Sequence, residues 1–136
     1  MIRTDRRKEE IMKFDDSKPI YKQIVHYIHT EIVTGIYNAG DKLLSVRELA
    51  TKLEVNPTTI QRAYAELEET EIIYTVRGTG KYLTEDKRRI EQLENDIAKQ
   101  LTENFISEMS KLGINKEKII AWVKKVEEVE VNVSGK

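Results

Sequence analysis

The sequence predicts a mostly α-helical α+β fold with one small β-hairpin, and three observations support this. Within residues 43–69, two short helical patterns are separated by a tight polar turn. Two runs rich in β-branched and aromatic residues follow, joined at the glycines Gly78 and Gly80. A long amphipathic pattern begins at residue 86. We therefore predict a winged helix-turn-helix at residues 13–85 and a two-helix dimerisation module at residues 86–130.

Composition excludes several kinds of site. The 136 residues contain no cysteine, so disulfides, thiolate metal sites and cysteine nucleophiles are all excluded. His26 and His29 are the two imidazoles, and we interpret them as ordinary histidines because no acidic pair nearby completes a metal site. No cofactor and no metal is expected. No membrane span or signal peptide is visible, so we expect a cytoplasmic protein without a membrane partner.

The first helix is predicted to begin at Pro19, where a missing N–H costs nothing, and to end at Gly35. Isoleucines at every fourth position give it one apolar face. Residues 1–12 before it are expected to form a frayed or weakly helical extension, and Met12 is an alternative start of the protein.

Two shorter helices are predicted next. Ser45 and Glu48 have the spacing of a capping box and start a helix over residues 45–53. Asn56 and Pro57 start the following helix, since Asn caps backbone N–H groups and Pro favours the first helical position. Its predicted buried stripe leaves small polar residues on the other side. The stripe consists of Ile60, Ala63, Tyr64 and Leu67.

The hairpin is predicted from strands at residues 72–76 and 81–84, and it must pack on the helices because two strands alone are marginally stable. A helix over residues 86–112 is ended by Gly113, and Asn115 caps a last helix that frays from Glu127 into a tail at residues 131–136.

Both C-terminal helices carry apolar faces that one chain alone covers poorly, so we expect a homodimer. A ligand pocket around Trp122 is the less favoured interpretation of this surface. The predicted dimer interface contains Ile90, Leu93, Ile97, Leu101, Phe105, Met109, Ile119, Trp122, Val123 and Val126.

The charge distribution is informative although the net charge is −1. Residues 55–65 and 72–84 contain no acidic residue, but they include Arg62, Arg77 and Lys81. A helix-turn-helix whose second helix starts with small polar residues suits the major groove of DNA. From these features alone, DNA binding and an ordinary helical hairpin are both acceptable interpretations.

Several segments in the same order resemble the DNA-binding domain of the GntR family of bacterial transcription regulators. They are PIYKQI, GIYNAGDKLLSVRELA, VNPTTIQRAYAELE and RGTGKYL, and they span residues 19–83. The run NPTTIQRAY and the short C-terminal part resemble in particular the YtrA-type subgroup, whose members carry two C-terminal helices. This subgroup suggests control of a transporter operon.

The resemblance implies roles for individual residues. Arg47 is expected to contact a phosphate or a guanine edge, the N-terminal part of the third helix to enter the major groove, and Arg77 with Gly78 to enter the minor groove. Alternatives remain for Arg47, which can pair with Glu48 or Glu54, and for Arg62, which can pair with Glu66. Lys81 can instead be a solvated strand residue. The predicted DNA-binding set is Arg47, Asn56, Pro57, Thr58, Thr59, Gln61, Arg62, Arg77, Gly78 and Lys81.

The sequence departs from the family pattern at two positions. Leu44 replaces a proline before the second helix, and Glu71 replaces a glycine after the third. Without that glycine, we expect either strain at Thr70 or Glu71 or a different turn into the wing. Tyr64 and Tyr82 are expected to be core or core-edge residues.

We therefore expect a sequence-specific regulator, acting as a repressor, that binds double-stranded operator DNA as a homodimer over an inverted repeat. No common enzyme motif is present, so an enzyme is not expected. A winged-helix module for protein contacts without DNA is the alternative, and a small-molecule effector stays open with no residue assigned to it.

Overall fold

The structure is a computed structural model that describes residues 12–134, with side chains described for residues 12–126. The predicted extension at residues 1–12 and the end of the tail therefore fall almost wholly outside the described residues. The elements in chain order are α1 (Ile20–Val33), α2 (Val46–Leu53), α3 (Pro57–Glu69), β1 (Ile73–Val76), β2 (Gly80–Leu83), α4 (Lys87–Lys111) and α5 (Lys116–Ser134). The predicted α+β class and the order of elements are confirmed.

Helix α3 is central to the N-terminal part, since α1, α2 and β1 all pack against it. The predicted stripe on α3 is confirmed: Ile60, Ala63, Tyr64 and Leu67 are all buried. Fully burying an Ile or Leu side chain contributes about 1.5–3 kcal/mol. This stripe is therefore a main source of the stability of the winged helix-turn-helix at residues 13–85, which we call the head. Pro19 caps α1 instead of occupying its first helical position, a difference of one residue.

The hairpin has three paired segments instead of the two that were predicted. Strands β1 and β2 are antiparallel, with Ile73 opposite Leu83 and Val76 opposite Gly80. On the other edge of β2, the N–H of Leu43 donates to the carbonyl of Lys81 at 2.8 Å, and the N–H of Leu83 donates to that of Asp41 at 2.8 Å. The segment before α2 therefore covers the free edge of β2 and ties the hairpin to the helices.

Helices α1 to α4 end in the same way. Each is followed by a residue of positive φ, and the next backbone N–H donates a hydrogen bond to the carbonyl five residues earlier. Gly35 and Gly113 hold this position in α1 and α4, and Glu54 and Glu71 hold it in α2 and α3, with φ of 56° and 64°. Both predicted glycine stops and the predicted strain at Thr70 or Glu71 are confirmed, whereas Glu54 was not foreseen. The closing bonds run from Ile36 to Glu31, Val55 to Ala50, Ile72 to Leu67 and Ile114 to Met109.

The chain forms two compact units, one that extends through Glu94 and one that begins at Asn95. The first two turns of α4 thus belong to the unit that contains the head, whereas residue 86 was the predicted boundary. The predicted fraying from Glu127 is wrong for the described residues, because α5 continues through Ser134. Within residues 12–134, no helix is both long and apolar enough to cross a membrane.

Candidate nucleic-acid interface

The N-terminal turn of α3 is capped and exposed. The side chain of Asn56 accepts a hydrogen bond from the backbone N–H of Thr58 at 2.8 Å, and Pro57 is the first helical residue. Asn56, Pro57, Thr58 and Gln61 are exposed, and Thr59 is half-buried. No acidic residue lies in this first turn, so the positive end of the helix dipole is not neutralised by the helix itself. The turn can therefore receive a phosphate or present side chains to a groove.

Arg47 lies on α2, whose start is fixed by the predicted capping box. The side chain of Ser45 accepts from the N–H of Glu48 at 3.0 Å, and the side chain of Glu48 accepts from the N–H of Ser45 at 2.8 Å. This hydrogen bonding lowers the pKa of Glu48. Arg47 is exposed, and no carboxylate among residues 12–126 forms an ion pair with it. The alternative pairing with Glu48 or Glu54 is therefore not seen.

Arg62 is not paired with Glu66, which was the alternative to a DNA contact. Its guanidinium carbon lies 3.9 Å from the centroid of the Tyr21 ring. Glu66 instead accepts from the ammonium of Lys22 at 3.0 Å. Neither Tyr21 nor Lys22 was assigned a role from the sequence, because the approach of α1 to α3 is a tertiary contact that no local spacing encodes.

The wing tip is a three-residue loop, residues 77–79, between β1 and β2. Arg77 and Gly78 are exposed, and the N–H of Thr79 donates to the carbonyl of Val76 at 3.0 Å. Gly78 has φ of +81°, and apart from Gly78 itself and its two neighbours in the chain, no atom lies within 4 Å of the place where a Cβ would be. The tip is thus a tight turn with open space around it, which allows its backbone to approach a ligand closely.

Lys81 differs from the other predicted contacts because its ammonium is already engaged. Its Nζ lies 3.2 Å from a carboxylate oxygen of Glu68 and 2.8 Å from the hydroxyl of Thr75, which also donates to Glu68. Together these bonds lower the pKa of Glu68, the hydroxyl of Thr75 having the largest effect. The solvated interpretation of Lys81 is wrong. A contact between Lys81 and DNA stays a prediction, and this pair would have to open for it.

The two tyrosines are placed as predicted. Tyr64 is buried, and its hydroxyl donates to the carbonyl of Leu44 at 2.6 Å, which links α3 to the segment before α2. Burial raises the pKa of this phenol, so it stays a donor throughout the physiological pH range. Tyr82 is half-buried and stacks on Tyr74, with ring centroids 5.8 Å apart.

Charge is segregated along α3. The 13 residues of the helix span about 20 Å at 1.5 Å per residue. Its acidic residues occupy the C-terminal half, and Glu66 and Glu68 are paired with lysines. In the part of the chain that the structure describes, no cluster of His, Asp and Glu has the geometry of a metal site. The N-terminal half is therefore the end of α3 that suits a polyanion.

The predicted dimer-interface residues fall into three groups, which are buried, half-buried and exposed. Leu93 and Ile119 are 5% and 7% exposed, so they are already buried within a single chain. Ile90, Ile97 and Met109 are half-buried. The others are exposed apolar side chains, together with Ile106, Leu112 and Ile120, which the predicted interface omitted. Exposed members of the predicted set are Leu101, Phe105, Trp122, Val123 and Val126.

Comparison with known proteins agrees with this geometry. The family described as bacterial regulatory proteins, gntR family, matches residues 20–83. The uncharacterised HTH-type transcriptional regulator YhcF of Bacillus subtilis is 39% identical over 82% of this chain and 93% of its own length. The chain belongs to the GntR family. The HTH-type transcriptional repressor YtrA of B. subtilis is 38% identical over 88% of this chain and 90% of its own length, which supports the YtrA-type subgroup.

Solved structures of transcriptional regulators have the same fold. A GntR family transcriptional regulator from Listeria monocytogenes is 98% identical and has a TM-score of 0.80 over 82% of this chain and 98% of that one. A transcriptional regulator from Oenococcus oeni is 29% identical, with a TM-score of 0.68 over 88% of this chain and 98% of that one. This GntR protein is therefore a DNA-binding transcriptional regulator of the helix-turn-helix type.

Proposed function

We propose that this GntR protein represses transcription as a homodimer in which each head binds one half of an inverted-repeat operator. The observation that most supports DNA binding is the exposed, capped N-terminal turn of α3. This turn has no acidic residue and presents Asn56, Thr58 and Gln61. A helix end of this kind fits the major groove, where hydroxyl and amide side chains bind phosphates or base edges. The repressor role draws on the repressor YtrA among its relatives.

The proposed contacts divide by groove and by type. Gln61 can read adenine through its amide, Arg47 can bind a phosphate or guanine, and Arg77 at the wing tip suits a narrow minor groove. Lys81 contributes only when its pair with Glu68 opens. The full proposed set is Arg47, Asn56, Pro57, Thr58, Thr59, Gln61, Arg62, Arg77, Gly78 and Lys81.

The dimer is proposed to form through the exposed apolar residues of the second unit. Leu101 is 60% exposed and Trp122 is 48% exposed, and a second copy is the simplest cover for such side chains in a symmetric regulator. Leu93 and Ile119 are left out of this interface because they are buried within one chain. Control of a transporter operon is proposed from the YtrA-type subgroup, and no residue is assigned to an effector.

Footprinting on the DNA upstream of the protein's own gene tests the proposal. Wild-type protein should protect an inverted repeat, and Arg47→Ala and Arg77→Ala should each weaken binding about tenfold or more, since hydrogen bonds to charged groups contribute about 1.5–3 kcal/mol. Lys52→Ala is a matched control, because Lys52 is exposed on α2 and is not a proposed contact. Wild-type affinity in both arginine variants would refute the contact assignment.

The second candidate is a winged-helix module that binds a protein instead of DNA. The observation in its favour is the exposed hairpin face, where Tyr74 and Val76 are about 40% accessible. Phosphate contacts make DNA affinity fall steeply with salt, by a logarithmic slope of about 0.9 per phosphate neutralised. Absence of any saturable, salt-dependent binding to the upstream DNA would favour the protein-binding candidate.

A further inference from the structure

The guanidinium of Arg62 lies over an aromatic ring of α1. Its Cζ atom lies 3.9 Å from the ring centroid of Tyr21, which is half-buried in the first turn of α1. This distance places the cation over the ring face, an arrangement that is electrostatically attractive. A guanidinium carries five N–H donors, so a contact with one ring leaves donors available for a phosphate.

The neighbouring carboxylate is kept away from Arg62 by Lys22. Glu66 is four residues after Arg62 on the same helix, the spacing at which oppositely charged side chains pair. Its carboxylate instead binds the ammonium of Lys22 at 3.0 Å, and this bond raises the pKa of Lys22. Among residues 12–126, no carboxylate forms an ion pair with Arg62. Two adjacent residues of α1 thus leave Arg62 both ordered and free of a competing anion.

We propose that Tyr21 and Lys22 are positioning residues that present Arg62 to a phosphate of the operator. This inference rests on the proposed function, in which Arg62 contacts DNA. Ordering a long side chain on binding lowers affinity, so an arginine that is already ordered binds about two- to tenfold more tightly per head. Tyr21 supplies the ordering, and Lys22 prevents Glu66 from competing with the phosphate.

The role of Tyr21 is tested by titrating the footprinted upstream duplex with Arg62→Ala, Tyr21→Leu and Tyr21→Phe at several salt concentrations. Arg62→Ala should weaken binding and lower the salt slope by about 0.9 per head. Tyr21→Leu should weaken binding about two- to tenfold per head with the slope unchanged, since the contact is still made. Tyr21→Phe retains the ring face and should restore wild-type affinity. Tyr21→Leu with wild-type affinity, or Tyr21→Phe as weak as Tyr21→Leu, would overturn the inference.

The role of Lys22 is tested by a double substitution. Lys22→Gln frees Glu66 to pair with Arg62, so affinity should fall. Lys22→Gln combined with Glu66→Gln removes the competitor as well, and affinity should recover toward that of Glu66→Gln alone. If the double variant is as weak as Lys22→Gln, Lys22 acts through its own charge and the proposed competition is wrong. Circular dichroism melting of every variant separates these effects from a loss of folding.

Failure of this inference is distinguishable from failure of the proposed function. If wild-type protein protects no upstream DNA, the proposed function fails and this inference fails with it. If Arg62→Ala binds as tightly as wild type while Arg47→Ala does not, the proposed function stands and the inference is refuted. If Arg62→Ala is weak but Tyr21→Leu and Lys22→Gln are not, Arg62 contacts DNA without the help of α1.

Discussion

Arg89 donates two hydrogen bonds from its guanidinium to the carbonyl oxygen of Thr70, from Nε at 3.2 Å and from Nη2 at 2.9 Å. Thr70 is the C-cap of α3, and Arg89 lies in the first turn of α4. A cation at this end of α3 also interacts favourably with the helix dipole. The first turn of α4 is therefore bonded to the carboxyl end of α3 within the first unit.

Arg89→Ala should lower the free energy of unfolding by about 1–2 kcal/mol, because charge-assisted hydrogen bonds to a helix end are lost. The loss of unfolding free energy should be smaller than for an arginine whose buried N–H groups are all hydrogen-bonded. The reason is that Nη1 of Arg89 is buried and makes no hydrogen bond within the described part of the chain. Urea unfolding at one fixed protein concentration measures it. Arg88→Ala is the matched control, as the neighbouring Arg88 is exposed. Equal effects of both substitutions would contradict the role of Arg89.

Glu71→Gly should stabilise the protein by about 0.5–1 kcal/mol, because a side chain at positive φ is strained and glycine is not. The backbone φ of Glu71 is 64°, and its N–H donates to the carbonyl of Glu68 at 3.0 Å in the turn that ends α3. Glu69→Gly, two residues earlier within the helix, should instead destabilise by about 0.5–1 kcal/mol. Thermal melting of both variants checks the opposite signs, and a destabilised Glu71→Gly would show that the turn is not strained.

Leu93→Ala and Leu101→Ser should have different consequences, since Leu93 is 5% exposed and Leu101 is 60% exposed. Removing a buried leucine side chain costs about 2–5 kcal/mol, so Leu93→Ala should lower the melting temperature at any protein concentration. Leu101→Ser should leave the head folded and shift the protein toward a monomer in analytical ultracentrifugation. If Leu101→Ser has the same dimer dissociation constant as wild type, this leucine is not part of the interface.

Stability should decrease on acidification through His29. Burial lowers the pKa of this imidazole, and the charges of His26 and Arg89 lower it further while Glu66 opposes them. A base whose pKa is lower in the folded state binds its proton more readily when unfolded, so stability falls as the pH drops below the ordinary value of about 6.5. Unfolding midpoints at pH 7.5 and 5.5 should differ less in His29→Gln than in wild type.

The control for this pH dependence is His26→Gln, because His26 is exposed on the same helix. That variant leaves the burial of His29, the largest cause of its lowered pKa, in place. It should therefore keep most of the wild-type dependence. The assignment to His29 is wrong if His29→Gln and His26→Gln have equally steep profiles.

Much of the head was predictable because its signals are local. Ser45 with Glu48, and Asn56 with Pro57, mark helix starts through bonds that span two or three residues. The buried stripe of α3 follows from helical periodicity alone. The predicted strands agree with β1 and β2 to within one residue, since β-branched runs and the wing glycine are also local features.

Three features of the candidate site were not predictable, and each depends on segments far apart in sequence. Arg62 contacts the ring of Tyr21, and Glu66 forms an ion pair with Lys22, because α1 packs on α3. Lys81 pairs with Glu68 because the hairpin packs on the same helix.

By itself, the sequence determined where the helices begin, which face of α3 is buried, and which residues form the wing tip, since capping, periodicity and turn chemistry act over a few neighbouring residues. Only the tertiary structure decided how the charged side chains of α3 are shared among α1, the hairpin and the solvent. The physical reason is that an ion pair or a stacked ring depends on distances of 3–6 Å between elements. Those distances are set by the packing of the core and not by spacing along the chain.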